Sequence, residues 1–363
     1  MIDRLRLATF RNHTGTALDG TARFNLLVGE NGAGKTNVLE ALSLLAPGRG
    51  LRRAALPDMA ANLGPGGFAI SAELALGEDR VRIGTGTSAE RPGRRAVQVN
   101  GAEAPALRLA EWLAIGWLTP AMDRLFAEGA GARRRFLDRL VLAAEPGHAR
   151  AAARLEGALR ERNRLLSEAV EPDPAWLDAI EVQIAEAGSQ VAAARARMVE
   201  RLDAALAHLP EAPFARPALA YQPGGPLDAG ELAAALAEGR RRDRAAQRTL
   251  TGPHRDELAV TMAGKGQAAA ACSTGEQKAL LIAITLAHAG LSGGERPSLL
   301  LLDEVAAHLD PVRREALFER LREGVAQVWL TGTEMAPFAA ILNEASIWRV
   351  RDGAVERITA ADL

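Results

Sequence analysis

Gly29-Glu30-Asn31-Gly32-Ala33-Gly34-Lys35-Thr36 follows the apolar run Phe24–Val28 and opens residues 37–46, where Val38, Leu39, Leu42 and Leu45 recur at helical spacing before Pro47 and Gly48. The octapeptide fits the pattern of glycine, four residues, glycine, lysine, then serine or threonine, in the strand, loop and helix context that the pattern requires. Its glycines let backbone N–H groups turn inward around phosphate oxygens, and the helix start adds partial positive charge. Lys35 is placed to reach the β- and γ-phosphates and Thr36 to ligate Mg²⁺, so residues 29–37, Asn37 included, form a candidate ATP site. A strand feeding such a loop and helix predicts an α/β fold.

Working outward, Leu299-Leu300-Leu301-Leu302-Asp303-Glu304 is an apolar strand ending in two carboxylates. Its unbroken apolar character predicts a parallel sheet covered on both faces. Nucleotide hydrolysis needs one carboxylate in the Mg²⁺ shell and another to orient and deprotonate the attacking water. Asp303 suits the first role and Glu304 the second. Between the two motifs lies Ser273-Thr274-Gly275-Glu276-Gln277-Lys278, directly ahead of a helical run, which makes an anion site from helix amides and a hydroxyl. Leu291-Ser292-Gly293-Gly294-Glu295 looks closer to the signature of ABC ATPases, but Pro297 and the next strand leave it no helix to cap. The signature is therefore assigned to 273–278, and 291–295 is read as a loop. His308-Leu309-Asp310-Pro311 occupies the D-loop place, with Asp310 its acid. Thr331 and Thr333, after the next strand, are the available γ-phosphate sensors where many ABC ATPases carry a histidine, and His308 is a reserve base.

The chain has 363 residues, 48% hydrophobic and 25% charged, which suits a folded, soluble protein and excludes wholesale disorder. Its apolar runs are too short to cross a bilayer, its N-terminus does not read as a secretory signal, and a single cysteine, Cys272, fits a reducing cytoplasm. A net charge of −1 gives no global field for nucleic acid, so any DNA contact must be local. The chain carries three lysines, Lys35, Lys265 and Lys278, against 41 arginines. Each lysine kept in so arginine-rich a chain marks a position worth inspecting.

Organisation follows texture. Residues 1–118 and 250–363 read as mixed strands and helices, whereas 119–249 is alanine-, arginine- and glutamate-rich with helical periodicity over 133–144, 147–169, 174–208 and 228–248. Loops are expected at 171–174 and 210–226. The expected architecture is α/β: an ABC-type ATPase head of mixed sheets and helices, built from both ends of the chain, with an inserted, mainly α-helical lobe.

The chain resembles the RecF family, the short-armed relatives of the SMC ATPases. The likeness rests on Phe10-Arg11-Asn12, the 29–41 stretch, Arg133-Arg134-Arg135-Phe136-Leu137-Asp138, Arg162-Asn163-Arg164-Leu165-Leu166, Thr251-Gly252-Pro253-His254-Arg255-Asp256 and the 273–278 signature. Pro120-Ala121-Met122-Asp123 keeps only part of a segment usual in the family, and no glutamine is placed as the Gln-loop residue. The resemblance implies a weak DNA-dependent ATPase that dimerises with ATP on gapped or junction DNA in the cytoplasm, near the nucleoid. It also implies cooperation with RecR and RecO in loading RecA. In that fold the phosphate loop and the signature lie too far apart within one subunit to share a nucleotide and meet across a two-fold dimer. Phosphate contacts with DNA are sought at Arg49, Arg52 and Arg53, at Arg133, Arg134 and Arg135, and at Arg240, Arg241, Arg242 and Arg244. A transporter's nucleotide-binding subunit and a non-hydrolysing DNA scaffold are the alternatives; membrane association would favour the first, and DNA binding without turnover the second.

Overall fold

The computed structural model describes the chain apart from residues 62, 63, 65, 169, 171, 292–295 and 360–363, together with the side chain of His308. The loop assigned to 291–295 thus lies, beyond Leu291, outside the described residues. In chain order the first elements are β1 (Ile2–Phe10), β2 (His13–Asp19), β3 (Phe24–Val28), α1 (Lys35–Ser43), β4 (Gly67–Leu76), β5 (Asp79–Ser88), β6 (Arg91–Val99), β7 (Ala102–Glu103), α2 (Leu109–Trp112) and β8 (Ala114–Leu118). The middle supplies α3 (Ala130–Ala144), α4 (His148–Ser167), α5 (Pro174–Ala207), β9 (Pro217–Gln222), α6 (Ala229–Ala245), β10 (Glu257–Met262), β11 (Gln267–Ala268) and α7 (Thr274–Leu291). The last are β12 (Ser298–Leu302), α8 (Pro311–Glu323), β13 (Gln327–Gly332), β14 (Ala345–Arg351) and β15 (Ala354–Ile358). Among the described residues no helix is long and apolar enough to cross a membrane.

The chain divides into two compact units, residues 1–122 with 285–363, and residues 123–284. The first unit holds two sheets. An antiparallel one runs β2-β1-β4-β5-β6-β7, and a mainly parallel one runs β15-β14-β3-β13-β12-β8. β12 pairs in parallel with both β13 and β8, and all five of its residues are buried, as its unbroken apolar run requires. α1 contacts β1 of one sheet and β13 of the other, burying Val38, Leu39, Ala41 and Leu42. That burial fixes the direction in which the loop ahead of α1 points.

The second unit packs α4 and α6 on the 34-residue α5, with Leu155, Leu165, Ile180, Ile184, Leu232 and Leu236 in its core. Arg162 is fully buried there, donating to Glu181, Asp243, Thr249 and the Leu236 carbonyl. Here the structure departs from the texture-based division at 118/119 and 249/250, because residues 250–284 pack with the second unit. The physical reason is β9, which falls inside the expected 210–226 loop and pairs antiparallel with β10, Tyr221 opposite Leu258 and Leu219 opposite Val260. Prolines flank it, and Pro217 is tolerated as the first residue of an edge strand.

Candidate nucleotide site

β3 delivers the chain to the loop, and Gly29 N–H donates to the Gly332 carbonyl at the end of β13. Gly32 and Gly34 take left-handed backbone angles, φ +85° and +114°, and Gly34 caps the start of α1. A side chain at Gly34 would collide with Asn12 and His13, which brace the loop from behind. Asn12 Nδ2 donates to the Ala33 carbonyl at 3.0 Å, and His13 Nε2 lies 3.1 Å from the Gly34 carbonyl. Gly353 N–H donates to the same Ala33 carbonyl at 2.9 Å, and Asn37 Nδ2 to Asn12 Oδ1 at 2.7 Å. His13 is fully buried, which lowers its pKa against the opposing effect of its backbone carbonyl partners. No motif marks His13: one ring nitrogen meets Thr16 Oγ1 at 3.0 Å, three residues on, and the other meets the loop carbonyl of Gly34.

Lys35 is buried, with its ammonium curled over the loop to donate to the carbonyls of Gly29 at 2.7 Å and Glu30 at 2.8 Å. Burial lowers its pKa, and the charges of Glu304 and Asp303 oppose that shift. Thr36 Oγ1 donates to Asp303 Oδ1 at 2.9 Å, joining positions 267 residues apart in sequence. Asp303 extends the ladder beyond β12, its N–H donating to the Leu118 carbonyl. Glu304 turns sharply away in a left-handed conformation, φ +54°, uncommon for a residue with a side chain. The half-buried Thr36 hydroxyl and the buried Asp303 carboxylate are a pair of hard oxygens that fits Mg²⁺.

Thr331 is where expectation and structure part. Its one hydroxyl proton goes to Asp303 Oδ1 at 2.8 Å, and its oxygen accepts the Glu304 N–H at 2.9 Å. A hydroxyl so engaged is not free to donate to a phosphate, whereas Thr333, two residues on, is exposed.

In the second unit Ser273 precedes α7 and closes a capping box. Ser273 Oγ and N–H both reach Glu276 Oε2 at 2.9 Å, and Glu276 N–H points back to Ser273 Oγ at 3.4 Å. Ser273, Thr274 and Gly275 are exposed, whereas Gln277 is buried and holds the Cys272 carbonyl. The two remaining lysines both serve this helix: Lys265 pairs with Glu276 at 2.5 Å and Lys278 with Asp123 at 3.2 Å. Asp310 caps α8, accepting from Arg313 N–H at 3.0 Å.

Several arginines sought as DNA contacts have partners within the chain. Arg133 grips Glu257 through two bonds, Arg134 donates to the Asp256 carbonyl, and Arg240 is tied to Asp178 and Glu181. Arg52 reaches Asn37 and the buried Glu40, which Arg11 also grips. Arg242 and Arg244 donate to Thr251 and to the Glu168 carbonyl. Arg53 is exposed, and Arg49, Arg135 and Arg241 are exposed with no ion pair among the described residues.

The fold and this loop define a class: the family model described as the RecF/RecN/SMC N terminal domain matches residues 1–352. Within it, the chain is 48% identical to the DNA replication and repair protein RecF of Mesorhizobium japonicum, over 98% of this chain and 97% of that one. The identity to the protein of the same name from Rhizobium rhizogenes is also 48%, over 98% of both chains. The solved structure of the recombination mediator protein RecF-ATPrS in the RecFOR pathway superposes with a TM-score of 0.86 at 20% identity, covering 99% of this chain and 98% of that one. The Pyrococcus furiosus Smc head with an extended coiled coil, bound to the C-terminal domain of ScpA, gives 0.54 at 17% identity, over 98% and 95%. The chain belongs to the RecF family, and its head is of the ABC ATPase type.

Proposed function

We propose that this chain binds and slowly hydrolyses ATP with Mg²⁺, and that nucleotide controls its dimerisation on gapped or junction DNA in recombinational repair. The observation that carries the reading is the Thr36–Asp303 hydrogen bond at 2.9 Å, which joins the phosphate loop to the acidic end of β12. Loop amides and the Lys35 ammonium orient the triphosphate, while Thr36 and Asp303 hold the cation. Mg²⁺, when bound, neutralises charge that develops between the β- and γ-phosphoryl oxygens. Glu304 accepts the proton of the attacking water, and Thr333 is the candidate γ-phosphate sensor. The 273–277 signature, which lies in the second compact unit, acts on the nucleotide of a second copy.

The relatives' name, DNA replication and repair protein RecF, supports a role in DNA repair and replication. The RecFOR pathway named for the solved relatives supports RecR and RecO as partners, and with them RecA loading in the cytoplasm, at the nucleoid. DNA phosphates are assigned to the exposed Arg49, Arg53, Arg135 and Arg241. The test is ATP binding and turnover with and without gapped duplex. Lys35→Ala is expected to lose ATP binding, and Glu304→Gln to bind ATP while turning it over roughly a hundredfold more slowly or worse. Wild-type turnover in Glu304→Gln would move the base elsewhere, and unchanged ATP affinity in Lys35→Ala would remove the loop from the site.

A further inference from the structure

We infer that Thr331 is a positioning residue for hydrolysis: its single hydroxyl sets the Asp303 carboxylate and the Glu304 backbone in one fixed relation. The inference rests on the ATPase reading above and assigns a role that the loop and acidic-pair motifs do not contain. β13 is buried along its whole length, and its Gln327 and Thr331 side chains both make hydrogen bonds. Gln327, at the start of the strand, holds Ile2 and the Ala22 carbonyl. Thr331 sits at the other end, 1% exposed, beside the last strand residues of β12.

A threonine hydroxyl has one proton and two lone pairs. Here the hydroxyl donates its proton in a hydrogen bond to Asp303 Oδ1 at 2.8 Å, and one lone pair accepts the Glu304 N–H at 2.9 Å. The second bond is informative because Glu304 has left the strand for φ +54°, a conformation that persists only where its surroundings impose it. That angle decides where the Glu304 side chain starts from, so the bond that locks it also aims the carboxylate. Asp303 Oδ1 is shared between Thr331 and Thr36. One hydroxyl therefore couples the position of the metal-holding carboxylate to that of the general base. Valine has the same branched shape as threonine and supplies neither bond.

The experiment compares Thr331→Val, Thr331→Ser and Glu304→Gln, singly and with Thr331→Val added to Glu304→Gln. The Val variant is expected to bind a non-hydrolysable ATP analogue without Mg²⁺ within about twofold of wild type, to turn over ATP roughly tenfold or more slowly, and to need severalfold more Mg²⁺ for half-maximal turnover. Ser restores both properties. In the Glu304→Gln background the Val substitution costs little further turnover, because Thr331 acts through Glu304. Wild-type turnover and Mg²⁺ dependence in the Val variant would overturn the inference, as would a Ser variant no better than Val. Losses that multiply fully in the double variant would do the same. Should Val prevent folding, Thr331→Cys, with a weakly bonding group of similar size, is read in its place. A wild-type chain that hydrolyses no ATP would instead overturn the ATPase reading itself.

Discussion

A single methyl group added at Gly34 has no room. Its Cβ would lie 2.7 Å from Asn12 Oδ1 and 2.9 Å from His13 Nε2, and the backbone there stands at φ +114°. The same two side chains hold the loop carbonyls of Ala33 and Gly34, so the collision falls on the brace of the phosphate loop. Gly34→Ala is expected to lose about 1–3 kcal/mol of stability from backbone strain and displaced bracing, together with most ATP affinity. Gly32 makes the control: its φ is +85°, but a Cβ there meets nothing within 4 Å. Gly32→Ala therefore carries the conformational cost without the collision and should melt above Gly34→Ala. Melting temperatures and calorimetric ATP titration of both variants check the order. Equal melting temperatures would mean that Asn12 and His13 yield freely and brace nothing.

At the scale of the element, the start of α7 is held by charge. Lys265 stands in the turn between β10 and β11, and its ammonium is the main reason that the Glu276 carboxyl is pushed down to about 2, with the backbone and hydroxyl of Ser273 adding to it. A depressed carboxylate stabilises the fold above its ordinary pKa, and that contribution is lost as pH falls through the folded value. In the native chain the loss runs from about 4.5 down to about 2. Lys265→Ala removes the largest cause, so Glu276 should titrate nearer 4.5 and the capping box should fail at higher pH. The Glu276 carboxyl carbon shift followed by NMR decides it, and an unmoved titration in the variant would detach Lys265 from the signature. The legibility of this protein divides along the same line between neighbours in sequence and neighbours in space. The phosphate loop, the acidic end of β12 and the helices of the second unit are contiguous patterns, and each could be read directly. Thr331, the contact of His13 with the Gly34 carbonyl and the Lys265–Glu276 pair could not, because these partners are brought together by strand pairing and loop closure. β9 was hidden by the prolines around it, and the partners of the arginine clusters were illegible because a charge run does not reveal whether a carboxylate of the same chain faces it. Glu257, Glu181 and Asp178 answer that only in three dimensions.

For the whole molecule the question is what the exposed signature is for. Glycine in the first turn of a helix costs up to about 1 kcal/mol relative to alanine. A Cβ at Gly275 would meet nothing within 4 Å, so no packing among the described residues requires glycine there. Ser273 and Thr274 beside it are exposed as well, and on the first unit Val312, two residues beyond Asp310, is 66% exposed. On the proposed function a second copy would meet such surfaces, since in a two-fold dimer every contact occurs twice. The ATP held by one copy would then meet the Ser273–Gly275 helix start of the other, and hydrolysis would remove the γ-phosphate charge that joins them. By linkage, a nucleotide that binds the dimer more tightly than the monomer must favour the dimer, and DNA held by that dimer must tighten nucleotide binding in return. Ser273→Arg places a bulky cation where the hydroxyl and helix amides would receive phosphate, and leaves the Lys35 loop untouched. It is expected to bind ATP as the native chain does, to remain monomeric with ATP and to lose most turnover. Sedimentation of both chains with ATP, with and without duplex DNA, tests the clamp. A variant that dimerises normally would sink it, and so would a native chain whose association ignores ATP.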